Sequence, residues 1–151
     1  MAVRIDAPQL AGLLTYPRFD EQEYKLRLDE LRRLGVQSLM TGGRTTIGGV
    51  RIAGKGNVGL VIKAQTSKER ICALKVRRVD ANRSSMRDEV RLHTIANGAG
   101  VGPGLLGHSD NFMLMEYAGE HSIADWAAAV AAAVDRESAG AVARSVLEQC
   151  Y

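Results

Sequence analysis

The sequence predicts an α+β domain with an antiparallel sheet, and three observations support this prediction. Three short apolar segments, at 50–52, 60–64 and 71–76, follow one another with only a glycine-rich or a polar turn between them. Two longer segments, beginning near Asp20 and Ser85, repeat apolar residues at helical spacing. Strands joined directly by short turns pair antiparallel, because a parallel pair needs a longer crossover.

The composition is that of an ordinary globular domain. The chain has 151 residues, of which 46% are hydrophobic and 25% charged, and this is sufficient for a core. The net charge is +3, and acidic residues interleave with the basic clusters, so these clusters are read as solvated faces more than as a nucleic-acid footprint. Cys72 and Cys150 lack metal-ligand spacing and make no disulfide framework, which fits a reducing cytoplasm. No segment has the length and apolarity of a signal peptide or of a membrane span.

Residues 1–46 are expected to form an N-terminal helical extension. Asp20 and Glu23 make a capping-box pattern at the start of a helix, and Gly35 ends it. The apolar face of this helix repeats at helical spacing and consists of Tyr24, Leu28, Leu31 and Leu34. Such an amphipathic helix packs on the domain as a structural element; the alternative is a part of a substrate- or partner-docking module.

A second helix is predicted over 86–96, with a capping pattern at Ser85 and a stop at Asn97 and Gly98. It places Glu89 beside its apolar rows, where a carboxylate needs a partner. A short strand at Leu105 and an apolar strand over 111–117 follow, and then predicted helices over 123–134 and from residue 139 onward.

Three glycines, Gly54, Gly56 and Gly59, stand between two predicted strands, and the next strand carries Lys75 in its middle. The same glycine spacing marks dinucleotide folds, but there the glycines precede a helix. The position between strands therefore favours a hairpin over phosphates, where glycine lets backbone N–H groups approach phosphate oxygens. Lys55 within this turn either adds attraction for phosphate or is simply solvated.

This combination resembles the N-terminal lobe of the protein-kinase fold over about residues 47–126. The parts that carry the resemblance are the glycine turn, Val61, the run from Ala73 to Lys75, Glu89 and the run from Met115 to Tyr117. The short separation of Lys75 and Glu89, and the segments 87–92 and 100–103, are most similar to the small atypical RIO-type and archaeal serine/threonine kinases.

The resemblance implies a five-stranded antiparallel sheet plus helix C, with the lobe and hinge at 47–118 and the first helices of a truncated C-terminal lobe at 119–151. It also implies ATP and Mg²⁺ as cofactors. Lys75 would pair with the α- and β-phosphates and Glu89 would hold Lys75, so these two are the implied catalytic residues. The implied cofactor-binding residues are Ile52, Gly54, Gly56, Gly59, Val61, Ala73, Lys75, Met115, Glu116 and Ala118.

Each implied role has an ordinary alternative. Lys75 alone would be read as a surface lysine whose stem lies along apolar neighbours, and Glu89 alone as an exposed helix residue. Within the adenine pocket, Val61 and Ala73 would form the roof and Met115 the gatekeeper, although a buried methionine is also plain core.

Phosphoryl transfer by this family also needs a catalytic Asp with an Asn five residues later, and a metal-binding Asp. His108 and Asp110 have the spacing of the catalytic His-x-Asp, but they precede the hinge strand, and Met115 stands where Asn is required. We therefore expect the catalytic base and the metal ligands to lie outside this sequence. The chain is interpreted as a fragment, an incomplete gene product or a chain whose remainder lies elsewhere, and we expect it to bind nucleotide weakly at best and not to turn it over alone.

The expected function is the ATP-binding part of a cytoplasmic serine/threonine protein kinase that transfers a phosphoryl group to a protein hydroxyl. Two alternatives remain. One is a non-catalytic kinase-like module that binds protein or RNA, including the ribosome. The other is a small-molecule kinase on the same fold.

Overall fold

The computed structural model describes residues 1–119 and the isolated positions 125, 128, 140, 141 and 144. The chain divides into two compact units, Met1–Ala118 and Gly119–Tyr151. The helices predicted over 123–134 and from residue 139 fall almost wholly outside the described residues.

The first unit is built from short strands and three α-helices. The strands are β1 (Ala2–Arg4), β2 (Val36–Met40), β3 (Thr45–Ile47), β4 (Val50–Ile52), β5 (Gly54–Lys55), β6 (Gly59–Thr66), β7 (Ile71–Arg77), β8 (Leu105–His108) and β9 (Phe112–Glu116). The helices are α1 (Ala11–Leu14), which follows a 3₁₀ turn at Pro8–Leu10, α2 (Glu21–Arg33) and α3 (Arg87–Gly98).

The main sheet has the order β1-β2-β6-β7-β9-β8, with β5 paired to β6, and every pairing is antiparallel. This confirms an α+β fold with an antiparallel sheet. The sheet is larger than the expected five strands, because β1 and β2 extend one edge. The first 46 residues thus contribute two strands as well as helices, since Val36 and Leu39 are fully or almost fully buried where β2 joins β6.

Strand β4 departs from the expected run of three consecutive paired strands. It pairs back with β3 in a separate two-stranded hairpin, and β5 takes the place beside β6. The cause is the turn formed by Gly48 and Gly49, whose φ values are 54° and 80°. Two consecutive residues with positive φ make the tight turn that matches the twist of a hairpin, and glycine adopts it without steric cost.

The two faces of the main sheet are covered differently, because successive side chains of a strand point to opposite faces. The larger core combines one face with the N-terminal helices, and it includes Leu14, Leu31, Leu60, Ile62, Cys72, Leu74 and Val76. A smaller apolar cluster connects α3 to the other face and consists of Met86, Val90, Met113 and Met115, with Ala73 and Leu105 packed against it. The alternate residues of β7, including Ala73 and Lys75, lie on this second face and are half-buried.

Helix α2 begins and ends as the sequence predicts. The Asp20 side chain accepts a hydrogen bond of 2.8 Å from the Glu23 backbone N–H, and Gly35 follows the helix with a φ of 72°. Only half of the capping box forms, because the Glu23 carboxylate turns to Arg27 instead. Helix α3 extends slightly beyond its predicted end, and the residue with positive φ after it is Gly100, not Gly98.

Arg27 is fully buried between α2 and the sheet, which sequence reasoning missed. Its Nε donates to Glu23 at 2.7 Å, and its Nη1 donates to the carbonyl oxygens of Leu14 and Arg77 at 2.7 and 2.6 Å. Its Nη2 donates to Asn111 Oδ1 at 3.0 Å. Burial lowers the pKa of Arg27, and the hydrogen bond to Glu23 opposes this. A guanidinium with such a set of acceptors is satisfied without water.

The network continues from Arg27 through Asn111 and joins three elements. Glu30 of α2 accepts from the Asn111 side chain at 2.7 Å and from its backbone N–H at 3.1 Å. Arg77, the last residue of β7, donates to Asn111 Oδ1 at 2.7 Å. The network thus fixes α2 against the end of β7 and against the turn between β8 and β9.

Replacing Arg27 by Met is expected to lower the free energy of unfolding by about 3–5 kcal/mol, because it leaves buried charged and polar partners uncompensated. Urea denaturation followed by circular dichroism measures this change. The matched control is Arg33→Met on the same helix, because Arg33 is exposed. Equal stability of the two variants would contradict the structural role of Arg27.

Candidate functional site

Lys75 and Glu89 form an ion pair on the second face of the sheet. Lys75 lies in the middle of β7, and Glu89 lies in the first turn of α3. Lys75 Nζ donates to Glu89 Oε1, and the two side chains remain 25% and 21% exposed. Although 14 residues separate them, the chain brings them together because α3 returns across the face to which Lys75 points. The partner that Glu89 requires is therefore Lys75, as predicted.

Glu89 has a second basic partner that the sequence reasoning did not consider. Arg83 Nη1 lies 3.4 Å from Glu89 Oε2, and the Arg83 side chain is 37% exposed. Arg83 belongs to the loop between β7 and α3, and its carbonyl oxygen accepts a hydrogen bond of 3.2 Å from Arg77 Nη1. One carboxylate therefore faces two cations.

Apolar side chains flank the ion pair on the same face. Register places Ala73 opposite Met115, and Val61 opposite Lys75, so all four residues project from one side of the sheet. Val61 and Ala73 are half-buried, and Met115 is 9% exposed. Met115 packs in the cluster that connects the sheet to α3. The result is a half-buried apolar area beside a fixed cation.

Ile52 does not belong to this group, although the resemblance implied that it would. It is fully buried in the larger core, because the hairpin of β3 and β4 directs Ile47, Val50 and Ile52 into that core. The glycine turn lies closer to the ion pair of Lys75 and Glu89. Gly54 pairs with Val61 across β5 and β6, and Val61 in turn lies opposite Lys75.

The three glycines of the turn differ in what requires them. A Cβ atom at Gly59 would lie 2.7 Å from the carbonyl oxygen of Val76, which is closer than any side chain tolerates. At Gly56 the nearest atom to such a Cβ is 3.7 Å away, and at Gly54 none lies within 4 Å. Gly59 is therefore required by close packing of β6 on β7, whereas Gly54 and Gly56 leave open space on that side of the backbone.

The glycine turn is fastened to the N-terminal segment through Tyr16. Lys55 Nζ donates to the Tyr16 hydroxyl at 2.8 Å and lies 5.0 Å from the ring centroid. The Arg78 guanidinium lies 5.2 Å from the same centroid, and its backbone N–H donates to Val58 at 2.9 Å. Lys55 is exposed, as the solvated alternative expects, and its ammonium also contacts Tyr16. Its attraction for phosphate stays a prediction.

Glu116 and Ala118, two of the implied cofactor-binding residues, lie at the end of β9 and just after it. The backbone N–H of Glu116 donates to the Gly104 carbonyl at 2.8 Å, so this N–H is already paired. The Glu116 carboxylate binds the Gly104 N–H at 3.1 Å and Arg70 at 3.0 Å. Ala118 is exposed. Next to it, Tyr117 lies under Lys63 Nζ, 4.5 Å from the ring centroid.

Asp110, which has the spacing of a catalytic Asp from His108, has a structural role at the start of α3. Its carboxylate accepts from Arg87 Nε at 3.3 Å, and its carbonyl oxygen accepts from the Met86 N–H at 2.9 Å. These contacts hold the helix that carries Glu89.

In the described part of the chain, no three His, Cys, Asp or Glu side chains converge as metal ligands would. Both oxygens of Glu89 are already bound by cations. These residues do not fit a magnesium site. A separate point concerns membranes: none of the described helices is long and apolar enough to cross one.

A surface recess lies elsewhere, at the edge of the sheet formed by β1 and β2. Its lining residues are Arg4, Ile5, Asp6, Arg32, Val36 and Gln37. In the sheet, β6 lies between these two strands and β7, so the recess is not part of the group around Lys75.

Comparisons of the chain with protein-family models, with curated proteins and with solved structures found no match. The geometry around Lys75 is therefore the basis on which a function is proposed below.

Replacing Gly59 by Ala is expected to lower the free energy of unfolding by about 1–3 kcal/mol, because the new Cβ overlaps the backbone of β7. The matched change Gly56→Ala is expected to stay within about 0.5 kcal/mol, as surface changes usually do. Thermal or urea unfolding compares the two variants. A larger loss at Gly56 than at Gly59 would show that the turn is packed differently.

Proposed function

We propose that the chain carries the ATP-binding lobe of a protein-kinase-like phosphotransferase of the small RIO-type and archaeal class, acting on serine or threonine hydroxyls in the cytoplasm. The single observation that carries this proposal is the Lys75–Glu89 ion pair beside the glycine hairpin. A lysine that is three-quarters covered and held by a carboxylate is a positioned cation, since an ordinary surface lysine keeps its ammonium in water.

The phosphate groups of ATP are the ligand that this cation suits best. Lys75 would offset the charge of the α- and β-phosphate oxygens, and Glu89 would keep the lysine in that place. Gly54 and Gly56 leave their backbone approachable, as contact with phosphate oxygens requires. The Gly56 N–H itself donates to the Gly59 carbonyl oxygen at 2.8 Å, so the turn offers close approach to its backbone, and the charge comes from Lys75. A fixed cation beside such a turn favours a polyanion over a single carboxylate ligand.

The half-buried apolar area suits the adenine ring. Val61 and Ala73 would contact one side of the ring, and the small side chain of Ala73 leaves room for it. Met115 closes the end of this area towards α3. Glu116 and Ala118 are exposed and directly follow Met115 and Tyr117, so their backbone groups would meet the polar edge of the base.

In the proposed reaction, the γ-phosphoryl group passes from ATP to a protein hydroxyl. The residues described here bind and orient the nucleotide. Orientation of the phosphate chain contributes to catalysis because phosphoryl transfer depends on positioning and on electrostatic stabilisation.

Replacing Lys75 by Ala is expected to weaken binding of MgATP more than about tenfold, because a hydrogen bond between charged groups contributes about 1.5–3 kcal/mol. Isothermal titration calorimetry measures the affinity. Lys68→Ala, an exposed lysine in the turn between β6 and β7, removes the same charge and is the matched control. Equal affinities of the Lys75→Ala variant and the unmodified protein would refute the proposed site.

Replacing Ala73 by Leu is expected to abolish binding of adenosine and of ATP, because the larger side chain fills the space assigned to the ring. The matched control is Ala2→Leu at the exposed edge strand β1. Calorimetry measures binding, and circular dichroism confirms that both variants fold. Undiminished adenosine binding in folded Ala73→Leu protein would place the base elsewhere.

A further inference from the structure

We infer that Arg83 is a second phosphate-binding cation of this site and that it sets the preference for nucleotides with more phosphate groups. This inference rests on the proposed function and adds a residue that the resemblance did not assign. It begins from the geometry of Glu89, whose two oxygens are bound by Lys75 and Arg83 separately.

The loop that carries Arg83 is fixed by the end of β7. Arg77 Nη1 donates to the carbonyl oxygens of Arg78 and Arg83 at 3.2 Å each, while the same guanidinium donates to Asn111. Within the loop, Arg78 pairs with Asp80 at 2.6 Å. The position of Arg83 therefore does not depend on its contact with Glu89 alone.

The charges of the three side chains do not cancel. Lys75 and Arg83 supply two positive charges, and Glu89 supplies one negative charge for both. Both cations are only partly covered, with 25% of the Lys75 side chain and 37% of the Arg83 side chain exposed, so the surplus positive charge is accessible to a ligand. A ligand with several negative charges close together would satisfy it.

Arg83 is the cation better placed to turn to a ligand. Its contact with Glu89 is long, at 3.4 Å, and its side chain is the more exposed of the two cations. A guanidinium also binds two phosphate oxygens at once, which an ammonium cannot do with fixed geometry. When phosphate binds, Arg83 contacts it while Glu89 continues to hold Lys75.

The test is the affinity for ATP and for AMP, measured by calorimetry in the unmodified protein and in Arg83→Gln. We expect Arg83→Gln to weaken ATP binding about tenfold, the loss of one charge-assisted hydrogen bond, and to leave AMP binding unchanged. Arg83→Lys, which keeps the charge but loses the paired geometry of the guanidinium, is expected to restore only part of the preference for ATP. The exposed Arg91 of α3 supplies the matched control, Arg91→Gln.

A second arm separates direct contact with phosphate from an effect through Glu89. In a Glu89→Gln background, Arg83 has no carboxylate to hold, so Arg83→Gln should still weaken ATP binding if Arg83 contacts phosphate. If Arg83 acts only by holding Glu89, the second change should have no further effect, and the inference is overturned.

The outcomes also distinguish this inference from the proposed function. If ATP binding depends on Lys75 but Arg83→Gln keeps the normal ratio of ATP to AMP affinity, the inference fails and the proposed site stands. If Lys75→Ala binds ATP as the unmodified protein does, both fail.

Discussion

The buried guanidinium of Arg27 is the contact on which the rest of the described structure depends. It connects α2 to α1 and to the end of β7, and it reaches Asn111 in the turn before β9. A buried charge needs a complete set of partners, so the arrangement admits one position of the helix on the sheet. In turn, Arg77 and Asn111 hold the loop of Arg83 and the strand that carries Met115.

The two faces of the sheet follow from this arrangement. The face towards α1 and α2 is filled by apolar side chains, and among the described residues Arg27 is the buried charged residue there. The opposite face is only partly covered by α3, and there β7 presents Ala73 and Lys75. A lysine in the middle of a central strand is tolerated on that face because Glu89 pairs with it. The same strand therefore supplies core residues on one side and the candidate site on the other.

Local sequence patterns predicted those features of the fold that depend on residues close together in the chain. The cap at Asp20 and the consecutive strands β6 and β7 followed from spacing and turn chemistry. The helix pattern predicted only that Glu89 needs a partner, and it was the resemblance to the kinase lobe that implied Lys75 as that partner. Arg27 was missed because a basic residue on an amphipathic helix looks solvated until its distant acceptors are known, and these lie 13 to 84 residues away. The hairpin at Gly48 and Gly49 did have a signal, since two adjacent glycines between β-branched residues typically form a tight turn. The contacts of Tyr16 and Arg83 were not predicted, because both residues lie in loops. A loop has no helical or strand periodicity from which the position of a side chain could be inferred.

We propose that nucleotide binds the face of the sheet that carries Lys75. Amide chemical shifts followed by NMR during titration with MgATP test this proposal, because they locate the ligand without any substitution. We expect shifts at Gly54, Gly56, Ala73 and Lys75. Shifts confined to the recess beside Val36, or no shifts at all, would contradict it.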